Sequence, residues 1–423
     1  MSIFRPFKGF RPQKENVNKV ASRPYDVLNS AEARVEVEGN PHSFLYVVKP
    51  EIDLPEGVDL HSQQVYDKAK SSLQKLIDVG MFLQDDKANY YIYAQTMNGK
   101  TQYGLVGCSG VEDYLNNIIK KHELTRPDKE EDRMNHVRST NANAEPVFFT
   151  YRDNAKIDEI VAEVIKAEPE YDFTTDDGFG HHFWVVNNEK HIENIQSVFA
   201  DEVKYQYVAD GHHRTAAAAL VGSERKKNNP NHTGNEEYNF FLSVVFPASQ
   251  LTIIDYNRVV KDLNGLSETE FIKKLAKSFE IVEKGGEEYK PCCLHNYAMY
   301  IGGKWYSLTA KKGTYKENDP IGVLDVTILT NEVLEPLLDI KDLRRSERIE
   351  FVGGIRGLGE LKQRVDSGEM KAAFALFPVT MDQLMDIADN NLIMPPKVTW
   401  FEPKLRSGLV FHDLEYVRYN KYK

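Results

Sequence analysis

The sequence predicts a mixed α/β fold, α+β-like rather than a regular doubly wound sheet. Three observations point there. Stretches with strand and helix periodicity alternate along most of the chain, short hairpin signals interrupt the alternation, and 423 residues, 41% hydrophobic and 28% charged, suffice for two packed domains. The pattern changes near residue 255, so the expected domains are 1–255 and 256–423.

Up to Asp26 the chain is rich in Pro, Phe and Arg and reads as an extended arm and a turn. Residues 43–48 (SFLYVV) read as a short apolar strand. Residues 61–80 carry Val65, Ala69, Leu73, Leu76 and Ile77 at helical spacing, with Gly80 as the stop. Strands over 90–95 and 101–106 are joined by Met97-Asn98-Gly99-Lys100, and Asn-Gly is a strong hairpin signal. A short helix over 111–121 delivers a charged run whose spacing alone reads as a solvated loop. A strand (146–151), a helix (157–167), a strand (183–186), a helix (192–202) and a strand (205–209) follow. The next helix, 215–221, is an alanine run with Gly222 as its expected C-cap, and the nearly all-apolar 238–246 fits a strand buried on both faces. Beyond 255 come a helix (268–280), a hairpin turning at Gly302-Gly303, helices near 323–338 and 358–365, a strand (372–377) and a helix (381–390).

Composition excludes several classes. A net charge of -11 argues against nucleic-acid and anionic-membrane partners. No apolar run reaches the roughly 18 residues of a membrane span, and the N-terminal stretch lacks the apolar core of a signal peptide. Cys292 and Cys293 are neighbours, which rarely form an unstrained bridge, Cys108 stands alone, and no spacing resembles a zinc site. The expected location is the cytoplasm.

The segment most suggestive of chemistry is Asp210-Gly211-His212-His213-Arg214. A strand enters it and a helix leaves it, and Gly211 permits the tight reversal. A helix start offers unpaired N–H groups and the positive end of a dipole, where anions, phosphate above all, bind. Arg214 adds a planar fork suited to phosphate oxygens, and His212 and His213 add donors. A carboxylate does not bind phosphate directly, so Asp210 is expected to hold Mg²⁺, cap the helix or accept a proton.

Four further segments are candidates. In Lys121-His122-Glu123-Leu124-Thr125-Arg126 the second histidine of a zinc helix is absent, since Arg126 takes its place, and zinc is rejected. Glu123 is instead a candidate base near the cations Arg126, Arg133 and Arg138. Met394-Pro395-Pro396-Lys397 and Trp400-Phe401-Glu402-Pro403-Lys404 hold two lysines on a stiff strip. Gly353-Gly354-Ile355-Arg356-Gly357-Leu358-Gly359 looks like a phosphate loop but lacks the Lys-Ser/Thr ending and a clear preceding strand. His181-His182 reads as loop surface.

Several of these segments together resemble a widespread bacterial family known as domain of unknown function 1015. The likeness rests on Arg23-Pro24-Tyr25-Asp26-Val27, Asn40-Pro41-His42-Ser43-Phe44-Leu45, His122-Glu123 with Thr125 and Asp132-Arg133, and Ala209 to Arg214. It continues through Leu324-Asp325-Val326, Met394-Pro395-Pro396-Lys397 and Pro403-Lys404-Leu405. Where that family often has an aromatic residue, Thr215 stands, so stacking there is not implied. The turn is also similar, over part of the chain, to that of the ParB/sulfiredoxin superfamily, whose members bind nucleotides there and include kinases of free serine. The turn has no cysteine, and sulfiredoxin chemistry is not implied.

These readings lead to one expectation: a nucleotide-dependent phosphotransferase acting on a small hydroxylated metabolite such as free serine. Catalytic candidates are Glu123, Asp210, His122 and His213. Gly211, His212, Arg214, Thr215, Arg133, Lys397 and Lys404 are candidates for binding a nucleotide triphosphate or diphosphate, and Mg²⁺ is expected on Asp210. The alternatives are a ParB-like regulator that binds or hydrolyses nucleotide, and a phosphate-ester hydrolase.

Overall fold

The computed structural model describes residues 2–343 and 345–415. The chain forms two compact units. Unit 1 comprises residues up to Leu251 together with those from Pro403 onward, and unit 2 is Thr252–Glu402. The chain leaves unit 1 after Leu251 and returns to it at Pro403. The return is fixed by short antiparallel pairings, Ser22 with Ser407 and His412–Asp413 with Ala142–Asn143, long-range contacts that periodicity does not report.

Unit 1 is built on a nine-stranded mixed sheet. Its strands are β1 (Phe4–Arg5), β2 (Tyr90–Met97), β3 (Lys100–Gly110), β4 (Ile119–Lys120), β5 (Val147–Tyr151), β6 (Tyr171–Thr174), β7 (Gly180–Val186), β8 (Gln206–Asp210) and β9 (Phe240–Pro247). Their order in space is β4-β8-β5-β9-β3-β2-β7-β6, with β1 pairing β3. β8 runs parallel to β4 and β9 parallel to β5, while the other neighbours are antiparallel. Asn98 and Gly99 both have positive φ, as the predicted hairpin turn requires.

Five helices position the site. They are α1 (Gln63–Asp78), α2 (Pro127–Thr140), α3 (Ala155–Val164), α4 (Glu189–Asp201) and α5 (His212–Asn228). Ile157, Ile160, Ile195, Val198 and Phe199 of α3 and α4 share a core with Val147, Phe149, Val208, Val245 and the α5 alanines Ala218 and Ala219. Ala217 and Val221 of α5 pack on Met134 of α2. Short alanine side chains bring the α5 axis close to its neighbours.

Several elements differ from the sequence expectation. Residues 45–48 are a helical turn, not a strand; Leu45, Val47 and Val48 are all buried in a core with Phe44 and Phe411, and an apolar run that short has no period of its own. The helix after Gly110 is only Val111–Leu115, followed by β4. The charged run continues into α2, polar on most of its surface, which starts with Pro127 at its first turn and buries Met134, His136 and Thr140. His181 and His182 lie in β7, with His181 buried and hydrogen-bonded to the Tyr93 hydroxyl at 2.8 Å. Gly222 lies inside α5 rather than capping it; a Cβ added there would overlap the Tyr238 carbonyl, so the glycine is a point of close approach.

Unit 2 contains a six-stranded, wholly antiparallel sheet. Its strands are β10 (Tyr256–Val260), β11 (Phe279–Gly285), β12 (Asn296–Ile301), β13 (Lys304–Ala310), β14 (Ile349–Gly353) and β15 (Ala372–Leu376), in the order β11-β13-β12-β15-β10-β14. Helices α6 (Glu268–Leu275), α7 (Asp325–Leu329), α8 (Gly357–Asp366) and α9 (Met381–Asp389) accompany it. The end of the expected 268–280 helix is the start of β11. β14 does feed the glycine-rich 353–359 segment, but a Cβ on Gly354 would overlap the Asp255 carboxylate, and that acidic neighbour disfavours an anion. Among the described residues, no helix is long and apolar enough to cross a membrane.

Candidate functional site

The site begins where β8 becomes α5 through a single residue. Pairing between β8 and β5 shifts register between Val208 and Asp210, a bulge at the strand end. Gly211 then has φ 90° and ψ 36°, a left-handed conformation that favours glycine, and an added Cβ would lie 3.1–3.3 Å from the Arg214 guanidinium. No side chain caps α5. Its first intrahelical bond runs from the Thr215 N–H to the Gly211 carbonyl, 2.9 Å, and the Thr215 hydroxyl donates to the same carbonyl, also at 2.9 Å. The N–H groups of 212–214 have no carbonyl four residues back within the helix, and they form its positive end.

Asp210 sits between two cations. Its Oδ2 is 2.9 Å from an Arg214 terminal nitrogen and its Oδ1 is 3.0 Å from Lys404 Nζ. Burial alone would raise its pKa, but Lys404 and Arg214 outweigh burial and hold it down to about 2. The other terminal nitrogen of Arg214 donates to the Pro146 carbonyl at 2.8 Å, and its Nε has no partner. Burial lowers the Arg214 pKa, yet Asp26, Glu145 and Asp210 together raise it. The fork expected to grip phosphate therefore already holds a carboxylate and a strand-end carbonyl. The Thr215 hydroxyl, likewise, is taken up by the helix start.

The His122–Arg126 segment covers the start of α5. His122 and His212 are both buried and meet edge to face, ring centroids 4.5 Å apart. His213 Nε2 accepts the Arg126 backbone N–H at 3.1 Å. Glu123, half-buried, is carried between these two anchors. Burial drives the His212 pKa down to about 4 and that of His122 well below its usual value, so both rings are neutral at pH 7. His122 has no hydrogen-bond partner of good geometry for either ring nitrogen, nor has His212 for Nε2.

A second group of charges adjoins Arg214. Arg133 donates twice to Asp132, at 2.9 and 2.7 Å, and its guanidinium carbon stands 4.1 Å from the centroid of the Tyr25 ring. The Tyr25 N–H donates to Glu145 at 3.2 Å, and the Ser407 hydroxyl donates to the same oxygen at 3.0 Å. Burial raises the Glu145 pKa, and Arg214 and Arg133 pull it back. Arg133, Glu145 and Arg214 line a cavity of about 30 Å³, a size that takes an ordered water or two.

Of the other expected site residues, Lys404 joins the turn through Asp210, whereas Lys397 belongs to unit 2. There its carbonyl accepts from Arg258 at 2.8 Å and its Nζ stands 5.7 Å from the Tyr256 ring centroid. Arg126 pairs with Asp128 on the surface, and Arg138, paired with Glu131 on its own helix, bridges α2 to α5 through Glu224. The expected Mg²⁺ on Asp210 does not fit the donors present. Both oxygens already serve cations, and among the described residues no group of three or more His, Cys, Asp or Glu side chains is arranged to hold a metal ion.

Residues 4–327 match the family described as Protein of unknown function (DUF1015). The chain belongs to this family. No curated protein matches it. Among solved structures it is similar to a free serine kinase in complex with AMP, with 13% identity and a TM-score of 0.36 over 74% of this chain and 91% of that one. It is similar also to a conserved hypothetical protein from Pyrococcus furiosus (14% identity, TM-score 0.33, 70% and 90% covered) and to SbnI with C-terminal truncation from Staphylococcus aureus (10%, 0.37, 71% and 84%).

In this DUF1015 chain, sequence reasoning left out three neighbours of Arg214: Tyr25, Asp26 and Glu145. The Arg23-Pro24-Tyr25-Asp26 turn was visible as a motif, without any sign of its partners. Glu145 gave no signal, because a single acid before a strand looks like any loop carboxylate.

Proposed function

We propose that this protein is a nucleotide-dependent phosphotransferase acting on a small hydroxylated metabolite, with free serine among the acceptors to test. The observation that carries the reading is the start of α5, a helix without a side-chain cap, entered through a left-handed glycine and flanked by Lys404. Three N–H groups without a partner inside the helix, with the Lys404 ammonium beside Asp210, suit a phosphate chain. In this reading Asp210 is neither metal ligand nor base. Held at about 2, it is too weak a base at pH 7 and acts as the counter-ion that positions Lys404 and Arg214. Arg214 is a positioning residue, tying α5 to β5 through Pro146. Glu123, on the segment anchored by His122 and Arg126, is left as the group that orients and deprotonates the acceptor hydroxyl. His213 Nε2 is already an acceptor, so its ring carries the proton on Nδ1 and can donate to phosphate.

The test is calorimetric titration with ATP, ADP and CTP, followed by mass spectrometry of reactions with a panel of small alcohols. Lys404→Ala removes a charge-assisted contact of about 1.5–3 kcal/mol, so affinity should fall roughly tenfold or more. An unchanged affinity in that variant, or no nucleotide binding by the wild type, would refute the phosphate assignment. A second reading, nucleotide binding without turnover, draws on the low basicity of Asp210. Saturable binding with no phosphorylated product would favour it, and phosphate release without an acceptor would favour a hydrolase.

A further inference from the structure

The phosphotransferase reading makes no use of another cavity in unit 1, about 180 Å³ in volume, between α3 and strands β3, β5 and β9. Leu105, Val161, Ile165 and Pro247 make much of its wall apolar, and Leu105 and Tyr151 join that wall to the core of the unit. The bordering turn at 248–250 is tied on both sides. The Ser249 N–H donates to Asp153 at 3.1 Å, and Gln250 Oε1 accepts the Tyr103 N–H at 2.6 Å. An apolar cavity of ~150 Å³ accommodates benzene, so this one has room for an aromatic ring carrying a short substituent.

The polar groups on this cavity lack counter-charge. Asp158, in the first turn of α3, borders it, and among the described residues no cation pairs with Asp158 or with its neighbour Asp153. Partial burial, and then the charge of Asp153, raise the Asp158 pKa. Tyr151 lines the cavity too. It is 1% exposed, and among the described residues its hydroxyl makes no hydrogen bond. Burial, with Asp158 and Asp153 nearby, raises its pKa, so the hydroxyl stays neutral at pH 7 and keeps lone pairs for a donor. A buried hydroxyl without a partner is costly, and a donor inside the cavity removes that cost. A mostly apolar wall with a few converging polar groups is the usual make-up of a small-ligand site.

We propose that this cavity binds a small organic ammonium ion with an apolar body, an arylmethyl or short alkyl amine. The body replaces water along the apolar wall, and the ammonium donates to Asp158 and to the Tyr151 hydroxyl. Two tyrosines on the wall, Tyr103 and Tyr151, suit a cation as well. The same carboxylates repel anions, so neither a nucleotide nor a carboxylic acid belongs here. The cavity shares no lining residue with the 210–214 turn, and the proposal does not rest on the phosphotransferase reading.

Calorimetric titration of the full chain with benzylamine tests it, beside benzyl alcohol (no charge), benzoate (opposite charge) and ammonium chloride (no apolar body). We expect saturable benzylamine binding, benzyl alcohol weaker by roughly tenfold or more, and no binding of benzoate. Asp158 is exposed, so Asp158→Asn should fold normally; loss of the charge-assisted contact should weaken benzylamine by roughly tenfold or more and leave benzyl alcohol unchanged. Ala162→Leu, which adds bulk on an exposed lining position of α3, should abolish binding of both. Lys404→Ala should leave benzylamine affinity unchanged, which separates this site from the α5 turn. No benzylamine binding at millimolar ligand, benzyl alcohol or ammonium chloride binding as tightly as benzylamine, or undiminished affinity in Asp158→Asn or Ala162→Leu would each overturn the proposal.

Discussion

Asp210→Asn separates the roles open to this carboxylate. A carboxyl held at about 2 rather than at 3.8 favours the ionised native state by about 2 kcal/mol, since one pH unit corresponds to 1.36 kcal/mol. The substitution keeps size and shape, removes that term, and leaves Arg214 and Lys404 without their shared counter-charge. At roughly 2–4 °C per kcal/mol for a domain of this size, the unit 1 melting transition should fall by roughly 4–8 °C at pH 7. Because the folded pKa is depressed, the stabilisation is complete above about pH 4 and disappears as pH falls towards 2. The gap between wild type and variant should thus be constant from pH 7 to 5 and narrow below 4. Differential scanning calorimetry across pH measures it, and titration with ATP completes the comparison. With both cations released, nucleotide affinity should hold or increase. Equal melting temperatures at pH 7 would refute the clamp, and loss of nucleotide binding in a folded variant would restore Asp210 as a direct ligand.

Other variants probe the same region. Gly211→Ala forces a side chain into a left-handed conformation, at a cost of about 1–2 kcal/mol, and presses on Arg214; a lower melting temperature with weakened nucleotide binding is expected. Gly222→Ala should destabilise although alanine is the better helix former by about 1 kcal/mol, because the new methyl meets the Tyr238 carbonyl; a rise in melting temperature would contradict the packing. Burial holds His212 and His136 each at about 4, so the unfolded chain takes up their protons first. Stability from these groups is full above about pH 6.5 and falls towards pH 4, by about 2 kcal/mol per ring at pH 5. Urea unfolding of His212→Gln should show a flatter acid limb than wild type, and an identical slope would mean that His212 is charged in the native state.

Much of the candidate site was legible in the sequence because its decisive features are local. Asp-Gly between an apolar strand and an alanine-rich helix specifies a tight reversal onto a helix start, whichever neighbours surround it. The Asn98-Gly99 hairpin and the nearly all-apolar strand β9 were equally plain. The segment at 45–48 and helix α2 were not. Four apolar residues have no periodicity to distinguish strand from helix, and a largely polar helix is held by a few buried residues, Met134 and His136 among them, whose partners lie far along the chain.

By itself the sequence determined the mixed α/β class and the strand–glycine–helix turn at 210–214, because backbone conformation and amphipathic period are properties of neighbouring residues. Only the tertiary structure decided what those side chains meet. It set Lys404 against Asp210, 194 positions away in the chain, turned the Arg214 fork inward to Pro146, and put Glu145 beside both Arg133 and Arg214. Charges interact through space as the inverse of distance, and distances between remote segments are set by packing, which no local pattern encodes.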